Sequence, residues 1–220
     1  MKQRIILSLF LLNFTLVFAQ LEEIRNVDRI YDAKAEEIKN LNKRPKKYHP
    51  LLSELNTERI AEYNKILAVY YEKDSVVEGS VSSYEEIQKS FETIDKIKRM
   101  EKGEKVEGIT RTVSQMPPIA GKPIEYKNGG IGGFRQEFAK LFNINNLPNY
   151  YKSANTQIKT VLTFIIDTDG NIRKVNAKGD NEHLNTMAKV ALYKTAGNWI
   201  PAERDGKKKN DVFRFPVVLQ

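Results

Sequence analysis

The chain has 220 residues, a formal net charge of +8 and no cysteine. Without cysteine it has no disulfides, thiol catalysis or cysteine-ligated metal, and no lipid-modified cysteine to anchor an exported lipoprotein. The basic surplus favours acidic surfaces such as phosphorylated envelope glycolipids. Its basic residues are scattered among acids rather than interleaved with aromatic residues, so we expect no nucleic-acid partner.

Residues 1–19 have the pattern of a signal peptide. Lys2 and Arg4 precede an apolar run from Ile5 to Phe18, and Ala19 stands at the expected cleavage position. The run is shorter than the about 20 apolar residues that span a bilayer. We therefore expect cleavage after Ala19 and a soluble protein exported to the periplasm. The alternative is an inner-membrane anchor formed by an uncleaved N-terminus.

Residues 20–102 form a region with helical periodicity. Narrow apolar stripes recur at three- and four-residue steps, as in Ile24, Val27, Tyr31, Ile38 and Leu41, in Ile60, Tyr63, Leu67 and Tyr70, and in Tyr84, Ile87, Phe91, Ile94 and Ile97. The first helix should end near Arg44-Pro45, with a break over Lys43 to Pro50. The third should begin at Ser83, which forms a capping box with Glu86. These stripes predict a small antiparallel bundle, or alternatively a helical arm that reaches a partner.

Residues 103–133 are rich in glycine and proline and are interpreted as a linker leading into the next domain, with a short strand over Val106 to Val113. Residues 134–220 then alternate between helical and strand patterns. The apolar alternation from Ile158 to Ile166 predicts a strand, and Asp169-Gly170 predicts a hairpin turn. A helix stripe and the terminal strand from Val212 follow.

These patterns together predict an α+β fold. The C-terminal domain is expected to contain an antiparallel three-stranded sheet with two helices packed on one face, preceded by the N-terminal helical region. The terminal strand should close the sheet, which gives the order helix, strand, strand, helix, strand.

Residues 113–220 carry a series of short motifs in a distinctive order. They are Val113 to Pro117, Gly132-Gly133 before a helix, Leu147-Pro148, Phe164 to Gly170, Trp199-Ile200-Pro201-Ala202, Gly206 and Phe215-Pro216-Val217. In this order they resemble the C-terminal domain of TonB-family proteins, a periplasmic module that binds partners by adding a peptide strand to its sheet. The resemblance implies a core motif formed by Gly170, Trp199 and Pro201.

The resemblance also implies a function and a partner. Energy-transducing members carry a membrane-spanning N-terminus and a long proline-rich spacer, and we expect neither in this chain. The expected function is therefore the binding of an outer-membrane transporter or other envelope protein by β-strand addition, with a homodimer as a further possibility. A structural adaptor acting through the N-terminal helices is the alternative.

Pro216 indicates which strand binds. Proline has no amide hydrogen and fits a strand only at an edge or a bulge. If the terminal strand is an edge, Val212, Arg214, Pro216 and Val218 face the same way and form the partner-binding edge. The alternative is that Pro216 only protects an exposed edge from aggregation.

Catalysis and metal binding are not expected. Asp167, Asp169 and Asn171 lack the glycine and glutamate spacing of a calcium loop. His49 lies in a predicted loop, His183 lies near Asp180 and Glu182 at a helix start, and no nucleophile, phosphate-loop or paired-histidine motif accompanies them. We expect no enzyme activity, no cofactor, and a packing role for Trp199.

Overall fold

The computed structural model describes residues 2–42, 44–74, 96, 99, 121–149, 157–204 and 206–219. Its first elements are α1 (Lys2–Leu41), α2 (Pro45–Asp74), β1 (Glu125–Tyr126), α3 (Gly130–Leu141) and a 3-10 turn (Ile144–Asn146). There follow β2 (Ile158–Ile166), β3 (Ile172–Lys178), α4 (Glu182–Tyr193), β4 (Trp199–Ile200), β5 (Ala202–Arg204), β6 (Lys207–Lys209) and β7 (Asp211–Leu219).

The first two helices form a hairpin joined by residues 42–44. The predicted end of the first helix near Arg44-Pro45 is confirmed, but the predicted break up to Pro50 is wrong, because α2 begins at Pro45 and continues through Pro50. Pro45 occupies the first helical position, where a missing amide hydrogen costs nothing. Pro50 removes one backbone hydrogen bond near the start of a 30-residue helix. His49 consequently lies on a helix and not in a loop.

The main sheet has the order β3-β2-β7, so among the described strands β2 is central and β3 and β7 form the two edges. Both pairings are antiparallel. The ladder between β2 and β7 runs without a register shift from Ile158 opposite Leu219 to Ile166 opposite Asp211. Helices α3 and α4 contribute to the same apolar cluster on one face of this sheet, and the predicted α+β fold is confirmed.

Short strands complete the C-terminal part. β1 pairs with β4, and β5 pairs with β6 in a small hairpin. Lys207, Lys208 and Lys209 form β6, and all three residues are exposed. Gly133 lies in the first turn of α3, and a Cβ there would stand 1.6 Å from the Asn128 carbonyl oxygen. The close approach of these two backbone segments therefore requires glycine.

An aromatic core lies between α3, α4 and the sheet. Trp199 is 2% exposed and its ring centroid lies 4.7 Å from that of Phe134 and 5.6 Å from that of Phe213. Its Nε1 donates to Thr195 Oγ1 at 3.0 Å, so the one polar atom of the ring has a partner. The expected packing role of Trp199 is confirmed. Ile124 and Tyr126 belong to the same core, which therefore begins upstream of α3.

A second core joins the helical hairpin to the C-terminal domain. The apolar stripes of α1 and α2 do not pack only against each other; they also meet Leu184, Met187 and Val190 of α4. The stripe residues in this cluster are Ile24, Val27, Tyr31, Ile60, Tyr63, Leu67 and Tyr70. The hairpin is therefore a layer of the folded domain, rather than the self-contained bundle or free arm that the stripes suggest.

Polar contacts fix the hairpin in this position. Asn64 Oδ1 accepts from Thr186 Oγ1 at 2.8 Å, which links α2 to α4. The Asp28 carboxylate of α1 pairs with Lys194 at 2.5 Å and accepts a short hydrogen bond from the Tyr63 hydroxyl. Burial and the neighbouring Asp28 raise the pKa of Tyr63, so this hydroxyl stays protonated. Such paired polar groups give the packing a defined register.

Two predicted elements lie wholly or almost wholly outside the described residues. These are the third helix from Ser83 and the strand over Val106 to Val113. Among the described residues no helix is long and apolar enough to cross a bilayer.

Candidate partner-binding edge

The outer side of β7 carries the four residues predicted to bind a partner, Val212, Arg214, Pro216 and Val218. Their side chains share one face of the strand, because the alternating residues Phe213, Phe215 and Val217 reach the aromatic core. Val218 is 50% exposed. Pro216 is also exposed, whereas Val212 and Arg214 are partly buried. The four residues thus lie together along one strand.

The backbone groups of β7 alternate in direction with the same period of two. The Val212 amide donates to the Asp211 carboxylate at 2.9 Å, which indicates that it belongs to the set of residues whose backbone groups face away from β2. Positions 214, 216 and 218 have the same phase, so their backbone groups also point away from β2. Pro216, opposite Val161 of β2, therefore stands where its missing amide hydrogen removes no ladder bond.

The outer side of β7 thus has a defined pattern of hydrogen-bonding groups. Carbonyl oxygens point outward at all four positions, and Pro216 interrupts the series of amides. The Val212 amide is already accepted by Asp211, whose other oxygen lies 3.6 Å from Arg204. Among the described strands, β2 alone pairs with β7.

The opposite edge of the sheet, at β3, is irregular. The register between β2 and β3 shifts between Thr163 and Ile165. On the β3 side of this shift, Lys174 has a φ of 50°, in the left-handed region that side chains other than glycine rarely adopt. This is a β-bulge, which bends a strand and interrupts the hydrogen-bonding pattern along its edge.

The end of α2 covers the same bulge. Asp74, the last residue of α2, accepts from the Lys174 amide at 3.1 Å and from Arg173 Nη1 at 3.2 Å. Arg173 also donates from Nε to Asp167 at 3.0 Å. The Asp74 side chain is 6% exposed, and burial raises its pKa although Arg173 acts in the opposite direction. The edge amide that an incoming strand would need at Lys174 is therefore taken.

The residues of the predicted core motif, Gly170, Trp199 and Pro201, lie close together. Gly170 has a φ of 84°, and a Cβ on it would lie 2.6 Å from the Trp199 carbonyl oxygen and 3.9 Å from Pro201 Cδ. The turn between β2 and β3 therefore sits directly on the segment Trp199 to Pro201. Because the Trp199 ring packs against Phe213 of β7, this motif supports the strand from the core side.

The titratable residues singled out in the sequence do not converge on one site. His49 stacks edge-on with Tyr48 at 4.9 Å on α2, whereas His183 lies at the start of α4. Asp167 accepts from the amides of Asp169 and Asn171 in its own turn, at 2.9 Å and 2.8 Å. Within the described part of the chain, no group of three or more histidine, aspartate or glutamate side chains could hold a metal ion.

Two acids that shape the edges were not identified from the sequence. Asp211 directly precedes the strand and occupies the Val212 amide. Asp74 ends a helix, where a carboxylate is disfavoured by the helix dipole. An acid at that place is a signal that it has another partner, which the structure identifies as Arg173 and the Lys174 amide.

Comparison with known proteins gave no match, either to protein-family models, to curated proteins or to solved structures.

Proposed function

We propose that this protein is a periplasmic, TonB-like protein-interaction module. It binds an extended segment of an outer-membrane transporter or other envelope protein by adding that segment as a strand beside β7. The observation that carries the proposal is the contrast between the two edges of one sheet. β7 offers nine residues in unbroken register with β2, whereas β3 is bulged and covered by Asp74.

The outer side of β7 suits an incoming strand in two respects. Outward carbonyl oxygens along this side of β7, as at Pro216 and Val218, accept hydrogen bonds from the amides of a partner. Pro216 removes one donor, which weakens indiscriminate pairing between exposed edges. Because the Val212 amide is already bonded to Asp211 and Pro216 has no amide hydrogen, a strand beside β7 needs other contacts to offset two missing hydrogen bonds. Val218 is half exposed and offers a side-chain contact.

A second copy of the chain is the competing occupant. Two β7 strands related by a twofold axis would pair antiparallel and form a homodimer. Such a dimer would hide the edge from a transporter segment. Light scattering on the full chain, with and without a bound peptide, distinguishes a dimer that dissociates on binding from a monomer that binds directly.

The alternative of an adaptor acting through its helices is less well supported. The apolar stripes of α1 and α2 are buried against Leu184, Met187 and Val190 of α4. That face is therefore not available to a partner while the domain is folded. A partner-binding role for the hairpin would have to use its outer face, where Ile30 and Val69 are about half exposed at 43% and 44%.

The test uses point variants of the full chain, because separating the hairpin would expose a shared core. Immobilised wild-type protein recovers partners from an envelope extract, and a peptide spanning the recovered protein's extended segment is then titrated calorimetrically. Val218→Pro removes one outward amide and should weaken binding several-fold, since a net hydrogen bond contributes about 0.5–1.5 kcal/mol.

Val218→Ala is the matched control because it shortens the side chain and keeps the amide. Its affinity should stay close to that of the wild type if backbone pairing dominates. Equal affinity of Val218→Pro and wild type, with unchanged circular dichroism, would show that the ligand docks elsewhere.

A further inference from the structure

A polar groove lies between the helical hairpin and the 3-10 turn. Its volume is about 620 Å³, and its walls come from α1, α2 and residues 143–147. A groove of this volume has the size of a small-molecule site. Only Ala35, Leu52 and Leu147 among its lining residues are apolar, so its chemistry differs from the mainly apolar pockets that bind drug-like ligands.

The walls of the groove are held by hydrogen bonds between distant parts of the chain. Asn56 Nδ2 of α2 donates to the Asn145 carbonyl at 2.9 Å. Ser53 donates to Asn149 Oδ1 at 2.8 Å and accepts from the Asn149 amide at 3.1 Å. Asn149 has a left-handed φ of 54°, which the paired contacts with Ser53 stabilise. The groove is thus preformed rather than created by a loose loop.

The charges that line the groove are paired. Asp32 lies 2.8 Å from Arg59, whose side chain is fully buried beneath it, and Glu36 lies 2.7 Å from Lys39. The Arg59 guanidinium also lies over the Tyr31 ring, 5.6 Å from its centroid. Each carboxylate of these walls therefore has a cation beside it. The groove offers little net attraction to an ion, which favours a neutral ligand.

The groups left for a ligand are amides. Among the described residues the side chains of Asn145 and Asn146 make no hydrogen bond, and Asn145 is exposed at the rim. An asparagine side chain both donates and accepts. Tyr48 and His49 supply ring surface in the same groove. Adjacent groups that donate and accept, beside a ring face, match a ligand with hydroxyl groups on one side and C–H groups on the other.

We propose that this groove binds a neutral oligosaccharide, a site separate from the strand-binding edge. Sugar hydroxyls pair with the amides of Asn145 and Asn146, and a pyranose face packs against the Tyr48–His49 pair. A peptide is less suitable, since the groove has no strand edge, no apolar trough for a helix and no cluster of unpaired arginines.

The experiment uses the full chain labelled with ¹⁵N and three neutral probes, chitotetraose, cellotetraose and maltotetraose. At least one should bind with a millimolar or lower Kd and shift the side-chain amide signals of Asn145 and Asn146. The double variant Asn145→Ala/Asn146→Ala should weaken that binding about tenfold or more, as expected for two lost hydrogen bonds.

Asn176→Ala is the matched control, because Asn176 is an exposed asparagine on β3 that does not line the groove. It should leave the affinity for the sugar unchanged, and circular dichroism should show that all variants are folded. The proposal is overturned if no tetrasaccharide binds at millimolar concentration, or if the double variant binds as tightly as the wild type. Binding of a neutral glycine-serine octapeptide at the same amides, without any sugar binding, would overturn it in favour of a peptide site.

Discussion

The two edges of the main sheet differ although both belong to strands paired with β2. At β7 the register is continuous over nine residues and the outward groups follow a simple alternation. At β3 the register shifts, Lys174 takes a left-handed φ of 50°, and Asp74 occupies its amide. Exposed edges invite aggregation, and bulges and covering elements are the usual protection. Here the protection is concentrated on one edge.

The difference between the two edges shows that the helical hairpin protects one edge of the sheet. Its last residue, Asp74, carries the carboxylate that closes β3, and its apolar stripes fix where that residue lies. The hairpin therefore helps to close β3 and leaves β7 as the less protected of the two edges among the described strands. β7 has lighter protection, namely Pro216 and the Asp211 carboxylate at its first rung.

The largest expected effect is a difference in stability between proline variants at two neighbouring residues of β7. The amide of one residue faces β2, and the amide of the other faces away. Val217 is 6% exposed and lies opposite Thr160 of β2, so Val217→Pro should remove a ladder hydrogen bond and disturb the core. We expect it to lower the free energy of unfolding by about 3 kcal/mol or more. Val218→Pro, one residue along on the outer side, should cost less than about 1 kcal/mol.

Urea unfolding of the two variants measures this contrast. Equal losses of stability would show that β7 does not alternate as its side chains and the Val212 amide indicate.

The next effect concerns the covered edge. Asp74→Ala leaves the Lys174 amide without its acceptor and removes one carboxylate from Arg173, and both groups are partly buried. We expect the free energy of unfolding to fall by about 2 kcal/mol. Asp74→Asn retains an oxygen acceptor and should cost less.

Hydrogen exchange gives the local readout for the same pair of variants. The Lys174 amide should exchange faster in Asp74→Ala than in Asp74→Asn. Unchanged protection of this amide in Asp74→Ala would mean that the bulge alone closes the edge.

The strands of the sheet could be predicted from the sequence, but the difference between its two edges could not. Alternation from Ile158 to Ile166 and the Asp169-Gly170 pair are local signals, so the strands and turn followed from them. The contact that covers the bulge at Lys174 comes from Asp74, which lies a hundred residues earlier in the chain. No local pattern encodes that contact. The position of Pro216 was the one local sign of an edge, and it pointed to β7.

The hairpin shows the same limit. The stripes of α1 and α2 predicted that these helices bury one face, but periodicity does not name the surface that receives it. The receiving residues, Leu184, Met187 and Val190, lie on α4, a helix that the sequence places against one face of the sheet. α4 in fact has two buried sides, with Ala188 and Leu192 in the aromatic core.

A smaller effect tests the strain at the bulge. Lys174→Gly should relieve the left-handed conformation, which costs other residues about 1–2 kcal/mol, while the Asp74 contact with its amide remains. Lys178→Gly is the matched control in the regular part of β3, opposite Val161, where glycine should destabilise by about 0.5–1 kcal/mol. Thermal unfolding should therefore place Lys174→Gly above Lys178→Gly, and the reverse order would argue against strain at Lys174.

The smallest expected effect is the pH dependence that Asp74 confers on the covered edge. Burial raises the pKa of Asp74 in the folded state above its ordinary value of 3.8, so the folded state holds this proton more tightly than the unfolded state. The resulting stability is complete below the ordinary pKa and is lost as the pH rises through the raised pKa. Relative to Asp74→Asn, which does not titrate, the wild type should therefore lose stability over this interval and then stay level towards neutral pH. Urea unfolding of both proteins across the interval measures the difference. A wild type that instead gains stability relative to Asp74→Asn as the pH rises would show that pairing with Arg173 outweighs burial.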